Sequence, residues 1–308
     1  MNNLERRYRW LLKAYPRPYR EYRTDEILEI VLAGVDEQQP RPSLRESWAL
    51  VVGGLRARTG VDRLDAQALR HSALRLSALA LLIYGITRWA GFPISALVSY
   101  IQFGTWPNDG GSPIIAPWLL VGPMPAAIAL FAAAGGAYRP AFVMSVLTVV
   151  VQCWPIILRT PDWSAESFSY MWNSQYWPAL LTSLALLPLL RAPRTPVKRP
   201  WVWPLLGVLA VVTLTANPLN GWLDAPTMSL YAFAVLAVIA APIDARMPIV
   251  AFALLLVPAL ARIVYNALFF ESAARNFHIS ATTILILVVL MAATLTAATI
   301  ASRRQARL

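Results

Sequence analysis

The sequence is poor in the residue types that form disulfides, metal sites and most catalytic centres. It has one cysteine, Cys153, and two histidines, His71 and His278. One cysteine excludes an intrachain disulfide, and neither histidine has a second metal ligand at a suitable spacing. The glycine pairs at 53–54 and 135–136 lack the Lys-Ser/Thr that follows a phosphate-binding loop. We therefore expect no cofactor, no metal and no enzyme activity.

Acidic residues are scarce after residue 71, and this scarcity divides the chain. Residues 1–71 carry 13 Lys/Arg and 10 Asp/Glu, whereas residues 72–308 carry only 6 acidic residues. The second part consists mostly of apolar runs, each near the length of about 20 residues that a bilayer core requires. The sequence thus predicts a cytosolic helical signalling or docking domain at 1–71 and an integral membrane domain at 72–308.

The apolar runs predict an all-α fold with eight membrane spans. Three or so short helices should form the cytosolic head, and the spans should form a polytopic helical bundle. The spans are predicted near 72–90, 114–134, 140–158, 175–190, 201–217, 226–242, 247–267 and 279–301. The stretch 88–106 is an outer, partly interfacial segment in this interpretation, and a ninth span is the alternative.

The positive charges predict the orientation of the bundle. Lysine is rare, with 2 Lys against 25 Arg, which is typical of GC-rich coding and favours a bacterial source. With the N-terminus inside, the cytosolic loops hold most of the arginines and a single acid, Asp244. A Lys/Arg excess marks the cytosolic side of a membrane protein. We expect a multi-pass protein of the bacterial inner (plasma) membrane with both termini in the cytosol.

Matching features in the two halves of the membrane domain favour an internal duplication. Arg139-Pro140 opens the third span, and Arg246-Met247-Pro248 opens the seventh. Glu166-Ser167 and Glu271-Ser272 then follow in the next outer loops. Four spans return the chain to the side of the membrane on which it started. The similar spacing of the two pairs of motifs therefore favours a parallel 4+4 repeat, in which both halves have the same orientation.

Helical periodicity predicts three amphipathic helices in the head. The first has one apolar face and ends at Pro16 and Pro18. The second runs from about residue 19 to 33, and Tyr19, Ile27, Ile30 and Val31 should point inward. Ser43 and Glu46 predict a capping box at the start of the third helix, and Gly60 predicts its end. The inward face of the third helix is predicted to be Leu44, Trp48, Val51, Val52 and Leu55.

The first sixty residues also carry a family resemblance. Leu4-Glu5-Arg6-Arg7-Tyr8, Leu11-Leu12, Tyr15-Pro16, Tyr19-Arg20 and Glu26-Ile27-Leu28 resemble the start of the HAAS signalling domain. That module is an α-helical domain of bacterial membrane proteins and is often encoded beside a PadR-type transcriptional regulator. A similar prefix precedes some bacterial permeases. The resemblance covers about a fifth of the chain and does not extend to the membrane domain.

The resemblance implies that the head docks a soluble cytosolic protein, with a PadR-type regulator as the expected partner. The residues that it suggests for docking are Tyr8, Arg9, Tyr15, Tyr19, Arg20 and Glu26. Acids nearly balance bases in the head and no helix carries a one-sided basic stripe, so we expect no direct contact with nucleic acid. The lipid bilayer is the other expected partner, and homo-oligomers are left open.

A sensing site is predicted on the outer side and within the membrane. Arg262 follows Pro258 in the seventh span, and a charge at membrane depth tends to face a polar interior. The alternative is that Arg262 extends to the outer interface; Arg75 is expected to do so at the inner one. The loop after the third span combines acids with aromatics, and its candidate sensing residues are Asp162, Glu166, Trp163 and Trp172.

The predicted function is therefore a membrane-embedded signal-transduction or regulatory protein. Its head would dock a soluble partner, and the membrane domain would bias that docking by differential affinity for two states. The alternative is a transporter or permease subunit, because the spans contain prolines and Arg262.

Overall fold

In the computed structural model, the described residues are 3–33, 42–60, 65–103, 123–159, 176–192, 207, 225–268 and 281–305. These residues form helices, some of them with a described short turn between them, and no strand occurs among them. The expected all-α class is thereby confirmed for the described part of the chain.

The head contains three α-helices: α1 (Asn3–Leu11), α2 (Arg17–Ala33) and α3 (Leu44–Thr59). A 3₁₀ turn, Leu12–Ala14, continues α1. Pro18 does not end the first helix as predicted but lies in the first turn of α2, where a missing N–H costs nothing. The small core of the head is formed by Leu4, Tyr8, Leu12 and Leu28.

The capping prediction for α3 is confirmed at both ends. The Glu46 N–H donates to Ser43 Oγ at 3.2 Å, and the Ser43 N–H donates to Glu46 Oε2 at 3.1 Å. Gly60 adopts the left-handed conformation with φ 60°, and its N–H donates to the Arg56 carbonyl at 3.1 Å. Only glycine enters this region without strain, which is why α3 ends there.

The predicted inward faces of α2 and α3 are partly wrong. Ile30 is 66% exposed, and Leu28 is the buried residue of α2. Leu44 and Trp48 are 90% and 62% exposed. The side of α3 that meets the head core instead carries Leu50. Leu50 is two residues after Trp48, and residues two apart point to roughly opposite sides of a helix. The apolar stripe exists, but another face packs on α1.

Two glycines allow α3 to approach the 3₁₀ turn closely. A Cβ on Gly54 would lie 2.7 Å from Ala14 Cβ and 2.8 Å from the Ala14 carbonyl carbon. A Cβ on Gly53 would lie 2.7 Å from the Tyr15 hydroxyl oxygen. The face of α3 that packs on the head is therefore set by the lack of side chains at Gly53 and Gly54, and not by the large apolar side chains of this helix.

The rest of the chain forms seven further α-helices within the described residues. A 3₁₀ segment, Leu187–Arg191, directly follows the helix Tyr176–Leu186. The helices are α4 (Ala66–Phe103), α5 (Met124–Ala134), α6 (Tyr138–Arg159), α7 (Tyr176–Leu186), α8 (Ala225–Ala240), α9 (Met247–Leu268) and α10 (Ala281–Gln305). Helices thus occur at seven of the eight predicted spans. The other predicted span, 201–217, lies outside the described residues apart from Gly207.

Two described helices are long and apolar enough to cross a membrane: Gln67–Arg88 within α4 and Ile284–Arg303 within α10. About 56% of the first segment is buried inside the protein, against 11% of the second. The other apolar segments, such as Tyr138–Cys153 within α6 and Met247–Leu260 within α9, are 10–17 residues long. Length and composition therefore support membrane association, and the eight-span count stays a prediction.

Helix α4 is longer than predicted. It has 38 residues and continues through 88–103, where we predicted a separate outer segment or a ninth span. At 1.5 Å per residue it is about 57 Å long, which exceeds the thickness of a hydrocarbon core. Within 88–103 the chain therefore continues one helix and neither breaks nor starts a new one.

The helices after residue 65 share one core. Helix α4 packs against α5, α7 and α9, while α9 also packs against α8 and α10. A Cβ on Gly85 of α4 would meet Pro178 Cβ of α7 at 3.1 Å, so these helices approach closely. Helix α5 ends in a Schellman turn in which Gly136 has φ 78° and the Ala137 N–H donates to the Ala132 carbonyl at 2.8 Å.

Candidate functional site

A buried ion pair lies where the head meets the helices that follow residue 65. The turn 241–246 joins α8 to α9 and holds Asp244 and Arg246, which are each 2% exposed. The Arg246 Nε donates to Asp244 Oδ1 at 2.8 Å, and its Nη2 donates to Asp244 Oδ2. The Arg246 backbone N–H also donates to Asp244 Oδ1 at 3.0 Å. In this bidentate contact, two nitrogens of the planar guanidinium donate to the two oxygens of one carboxylate, and the contact holds the turn in place.

The same pair connects three parts of the chain. Arg246 Nη1 donates to the Ser72 hydroxyl of α4 at 2.9 Å. Thr59, the last residue of α3, donates its hydroxyl to the Arg56 carbonyl at 2.8 Å, and the same Oγ1 lies 3.4 Å from the Ile243 carbonyl oxygen of the turn. The turn therefore contacts both the head and the first long helix.

The ends of the two membrane-capable helices meet at this turn. Leu69, near the start of α4, packs with Ala245 of the turn and with Ala301 near the end of α10. These contacts place one boundary of the apolar helices at the level of Leu69, Ala245 and Ala301. The head lies on that side of the protein.

Sequence reasoning missed this pair. Asp244 and Arg246 were treated as loop charges that report orientation, but their burial makes them structural. The signal in the sequence is the Asp-x-Arg triplet between Pro242 and Pro248, in which the single acid of the predicted cytosolic loops stands two residues from an arginine. Arg139, the predicted counterpart of Arg246 in the first half, is exposed. The 4+4 repeat stays a prediction.

The residues predicted for docking do not form one exposed patch. Tyr8 is 1% exposed and belongs to the head core, so its predicted role in docking is corrected to a structural one. Tyr15 and Tyr19 stack on each other with ring centroids 5.0 Å apart. Arg9 and Glu26 are paired with Glu5 and Arg23, respectively, and Arg20 is partly buried.

The hydroxyl of Tyr8 ties α1 to the capping box of α3. It donates to Glu46 Oε2 at 2.9 Å. Burial and the neighbouring Glu46 carboxylate raise the pKa of Tyr8 to about 12. In turn, the Tyr8 hydroxyl and the Ser43 N–H lower the pKa of Glu46. The Glu46 carboxylate therefore accepts hydrogen bonds both from α1 and from the start of α3. The capping-box pattern in the sequence indicates only the second of these contacts.

The exposed apolar side chains of the head lie elsewhere. Trp10 of α1 is 67% exposed and lines a groove of about 260 Å³ between α1 and the start of α3, together with Arg7 and Ser47. Leu44, Trp48, Val52 and Arg56 follow at intervals of four and form one ridge of α3. The first two of these are exposed, and the last two face the membrane domain.

Arg75 does not extend freely to the interface as expected. Its Nη2 donates to the Ala134 carbonyl at the end of α5 at 2.9 Å, and its guanidinium lies 5.7 Å from the centre of the Tyr138 ring. A cation at a helix C-terminus is favourable because the last carbonyls carry partial negative charge. This contact places the α5–α6 turn on the same side as the start of α4.

A row of polar side chains is buried in helix α6. Ser145, Thr148 and Gln152 are at most 4% exposed. Ser145 Oγ donates to the Ala179 carbonyl of α7 at 2.8 Å and accepts from Ser183 Oγ at 2.9 Å. The Gln152 Oε1 finds no hydrogen-bond partner among the described residues. Unsatisfied buried polar atoms are costly, so this row is a second place where function is expected.

The predicted sensing residues lie outside what the structure describes. Asp162, Trp163, Glu166 and Trp172 fall in the gap between 159 and 176. The backbone of Arg262 lies in α9, and its side chain is outside the described part. Sensing by these residues stays a prediction. Within the described ranges, no three His, Cys, Asp or Glu side chains are placed to hold a metal.

Comparison of the chain with protein-family models, with curated proteins and with solved structures found no match. The HAAS resemblance of the first sixty residues therefore stays a prediction.

Proposed function

We propose that the protein is a membrane-embedded regulatory protein whose helical head docks a soluble cytosolic partner, with a PadR-type transcriptional regulator as the expected one. The observation that carries this proposal is the exposed ridge of α3. Leu44 and Trp48 stand in solvent at one end, while Val52 and Arg56 of the same ridge face the membrane domain. A partner on the exposed end therefore contacts the same helix as the membrane domain.

Exposed apolar surface supports the placement in a membrane. Soluble proteins rarely expose apolar patches larger than a few hundred Å². Helix α10 alone exposes many large apolar side chains, and α5, α6 and α8 add more. In α10 they are Ile284, Leu285, Ile286, Val288, Val289, Leu295 and Ile300. Lipid tails would cover these faces.

The directions of the helices support eight crossings. The α5–α6 turn and the α8–α9 turn both lie on the side of the head, as do the start of α4 and the end of α10. Pro178, near the start of α7, packs against Gly85, which lies far from the start of α4 and so far from the head. Helix α7 therefore runs toward the head. Helix α8 also ends on the head side. Helices α7 and α8 therefore run in the same direction, and the predicted fifth span at 201–217 lies outside the described residues apart from Gly207.

The charges at the boundary support a cytosolic head. Arg70, Arg139, Arg191 and Arg303 lie near helix ends on the side of the head. Asp244, which is paired, and Asp65 are the acids of the same region. Such an excess of arginine is typical of the cytosolic face.

Affinity capture tests the docking proposal. Full-length protein would be captured from its native membrane beside the double variant Trp10→Ala/Trp48→Ala. Tyr22→Ala serves as the control, because Tyr22 is 92% exposed but does not line the groove of Trp10. We expect a DNA-binding protein with the wild type and the control, and its loss with the double variant. Capture of an ATPase, or of nothing that depends on the head, would overturn the proposal.

The buried polar row of α6 favours a second candidate, a transporter or permease subunit. Polar side chains inside a membrane domain often mark a substrate path. If the protein moves a solute, Gln152→Leu should change the set of small molecules that cells retain. The exposed Gln67→Leu is the matched control. An unchanged profile for both variants would contradict transport along this row.

A further inference from the structure

The groove between α1 and the start of α3 brings large apolar side chains and one arginine together. It is lined from α1 by Arg7, Trp10 and Leu11, and from the facing side by Pro42 and Ser47. Trp10 and Leu11 follow Arg7 by three and four positions, so the three residues lie on one face of the helix. The groove has a volume of about 260 Å³, which is below the usual range for small-molecule pockets. It therefore suits a single large side chain of another protein better than a whole small-molecule ligand.

The charge of Arg7 is not neutralised by the described residues of the head. The ion pairs of these residues are Arg9 with Glu5 and Asp25, Arg17 with Glu21, and Arg23 with Glu26. Glu46 lies in the first turn of α3, but its carboxylate accepts from the Tyr8 hydroxyl and from the Ser43 N–H. Arg7 is exposed and can therefore pair with an acid of another molecule.

The exposed ridge of α3 borders this groove. Leu44 precedes Ser47 by three residues and therefore lies beside it on the surface of α3. Leu44 and Trp48 are 90% and 62% exposed, and Arg45 is exposed in the same turn. Tryptophan and arginine are among the residue types that most often dominate the binding energy of protein interfaces. Together these exposed side chains form the arginine–tryptophan patch, which consists of Arg7, Trp10, Leu44, Arg45 and Trp48.

The positive charge of the patch argues against a second copy of this chain as its occupant. A symmetric dimer interface is formed by the same surface of both subunits. Arg7 and Arg45 of one copy would then approach the arginines of the other, and like charges that face each other across an interface cost free energy. A partner that complements the patch instead offers a carboxylate close to a large apolar side chain.

The patch is accessible to a soluble protein. Thr59, the last residue of α3, lies against the α8–α9 turn, whereas Leu44 begins the helix. At 1.5 Å per residue, these two residues are about 22 Å apart along the helix axis. The patch is thus at the end of α3 that the turn does not contact.

We propose that the arginine–tryptophan patch binds an acidic segment of the soluble partner. One large apolar side chain of that segment would enter the groove beside Trp10, and a neighbouring Asp or Glu would pair with Arg7. The planar guanidinium can donate two parallel hydrogen bonds to one carboxylate. The inference rests on the docking function proposed above and adds the chemistry of the partner's segment.

The tryptophans and the arginines of the patch have different effects on binding. An exposed ion pair contributes little free energy by itself, whereas tryptophans that become buried in an interface contribute much of the affinity. The arginines instead orient the segment and select against basic sequences, because like charges repel. Reversing the charge at Arg7 should therefore weaken binding by repelling the acid of the segment.

Photo-crosslinking and charge reversal test the proposal in the full-length protein in its native membrane. Benzoylphenylalanine in place of Leu44 maps the partner segment, because this position is 90% exposed and borders the groove. Arg7→Glu reverses the charge in the groove. Arg6→Glu is the matched control, because Arg6 is exposed on the same helix and does not line the groove. In the partner, each acid of the mapped segment is replaced in turn by arginine.

We expect Arg7→Glu to lower the crosslink yield at least about tenfold, and Arg6→Glu to change it little. One acid-to-arginine change in the partner should restore the yield of the Arg7→Glu protein, which a misfolded head could not do. Equal yields for the wild type and Arg7→Glu, equal losses for both variants, or the lack of a restoring change would overturn the proposal. A crosslink to lipid in place of protein would overturn it as well.

The capture experiment separates this proposal from the docking function on which it rests. If the full-length protein captures a DNA-binding protein but position 44 crosslinks to none, the partner docks elsewhere and only the acidic-segment proposal fails. If no captured protein depends on the head, the docking function itself fails.

Discussion

At the residue scale, burial changes the meaning of single charges. Asp244 and Arg246 stand in a loop that sequence composition assigns to the aqueous side, but each is 2% exposed. Burial removes the hydration of both charges, which costs free energy. The pair contributes to stability only if the geometry of the contact is good enough to offset that cost. The fork of Arg246 on one carboxylate supplies that geometry.

Removing one partner of this pair should be more damaging than removing both. We expect Arg246→Ala to lower the free energy of unfolding by about 3–5 kcal/mol, because the Asp244 carboxylate is left buried and unpaired. The double variant Asp244→Ala/Arg246→Ala should lose less. Arg139→Ala, at an exposed arginine, should change stability by at most about 0.5 kcal/mol. Thermal unfolding in one detergent compares the four proteins, and equal losses for Arg246→Ala and Arg139→Ala would contradict the role of the pair.

The Tyr8–Glu46 hydrogen bond makes the head sensitive to acid. The pKa of Glu46 is lowered in the folded protein, so its contribution to stability is present above the unfolded pKa and is lost as the pH falls below about 4.5. Tyr8→Phe should cost about 1–2 kcal/mol at neutral pH and should reduce this acid sensitivity. Hydrogen exchange of residues 43–47 in the full-length protein measures both effects. Glu29→Gln controls for net charge, and an acid response unaltered by Tyr8→Phe would contradict this explanation.

The pKa of Tyr8 predicts a second limit at high pH. The value is raised to about 12, so the contribution of Tyr8 to stability is fully present below pH 10 and is lost as the pH rises toward about 12.

At the scale of elements, small residues decide how the head helices meet. The predicted apolar stripe of α3 is present, but Gly53 and Gly54 lie against the 3₁₀ turn and select a different face. Half of the stripe is left exposed at Leu44 and Trp48, and the other half reaches the membrane domain. Periodicity identifies an apolar ridge, but it does not say which neighbour covers it.

Alanine at the two glycines should have graded effects. Gly54→Ala brings a Cβ within 2.8 Å of backbone, which cannot move without displacing the turn, and we expect a loss of about 1–3 kcal/mol. Gly53→Ala meets only the Tyr15 hydroxyl, at the end of a side chain that can turn aside, and should cost less. Protease resistance of the head in the full-length protein ranks the two variants. A larger effect at Gly53 would show that this contact is not what sets the face of α3.

At the scale of the whole molecule, several helix ends meet at one boundary. The start of α4, the turns after α5 and α8 and the end of α10 share the side of the head. Charge bias alone predicts the same arrangement. The composition of the loops and the contacts between helices are independent properties of the chain.

Cysteine labelling tests the topology. In a Cys153→Ser background, Ser302→Cys lies at the end of α10 and Ser272→Cys in a predicted outer loop. A membrane-impermeant maleimide should label residue 272 in intact cells and residue 302 only after permeabilisation, because both termini are predicted to be cytosolic. The reverse pattern would invert the orientation, and labelling of both in intact cells would contradict a membrane crossing by α10.

The sequence by itself determined the helical class, the capping box of α3 and the positions of most apolar helices. Those properties depend on local preferences and on periodicity, which neighbouring residues carry. Only the tertiary structure decided that Asp244 pairs with Arg246, that Tyr8 is core and that Trp48 is exposed. Each of these depends on which helix approaches which, and that is set by contacts between residues far apart in the chain.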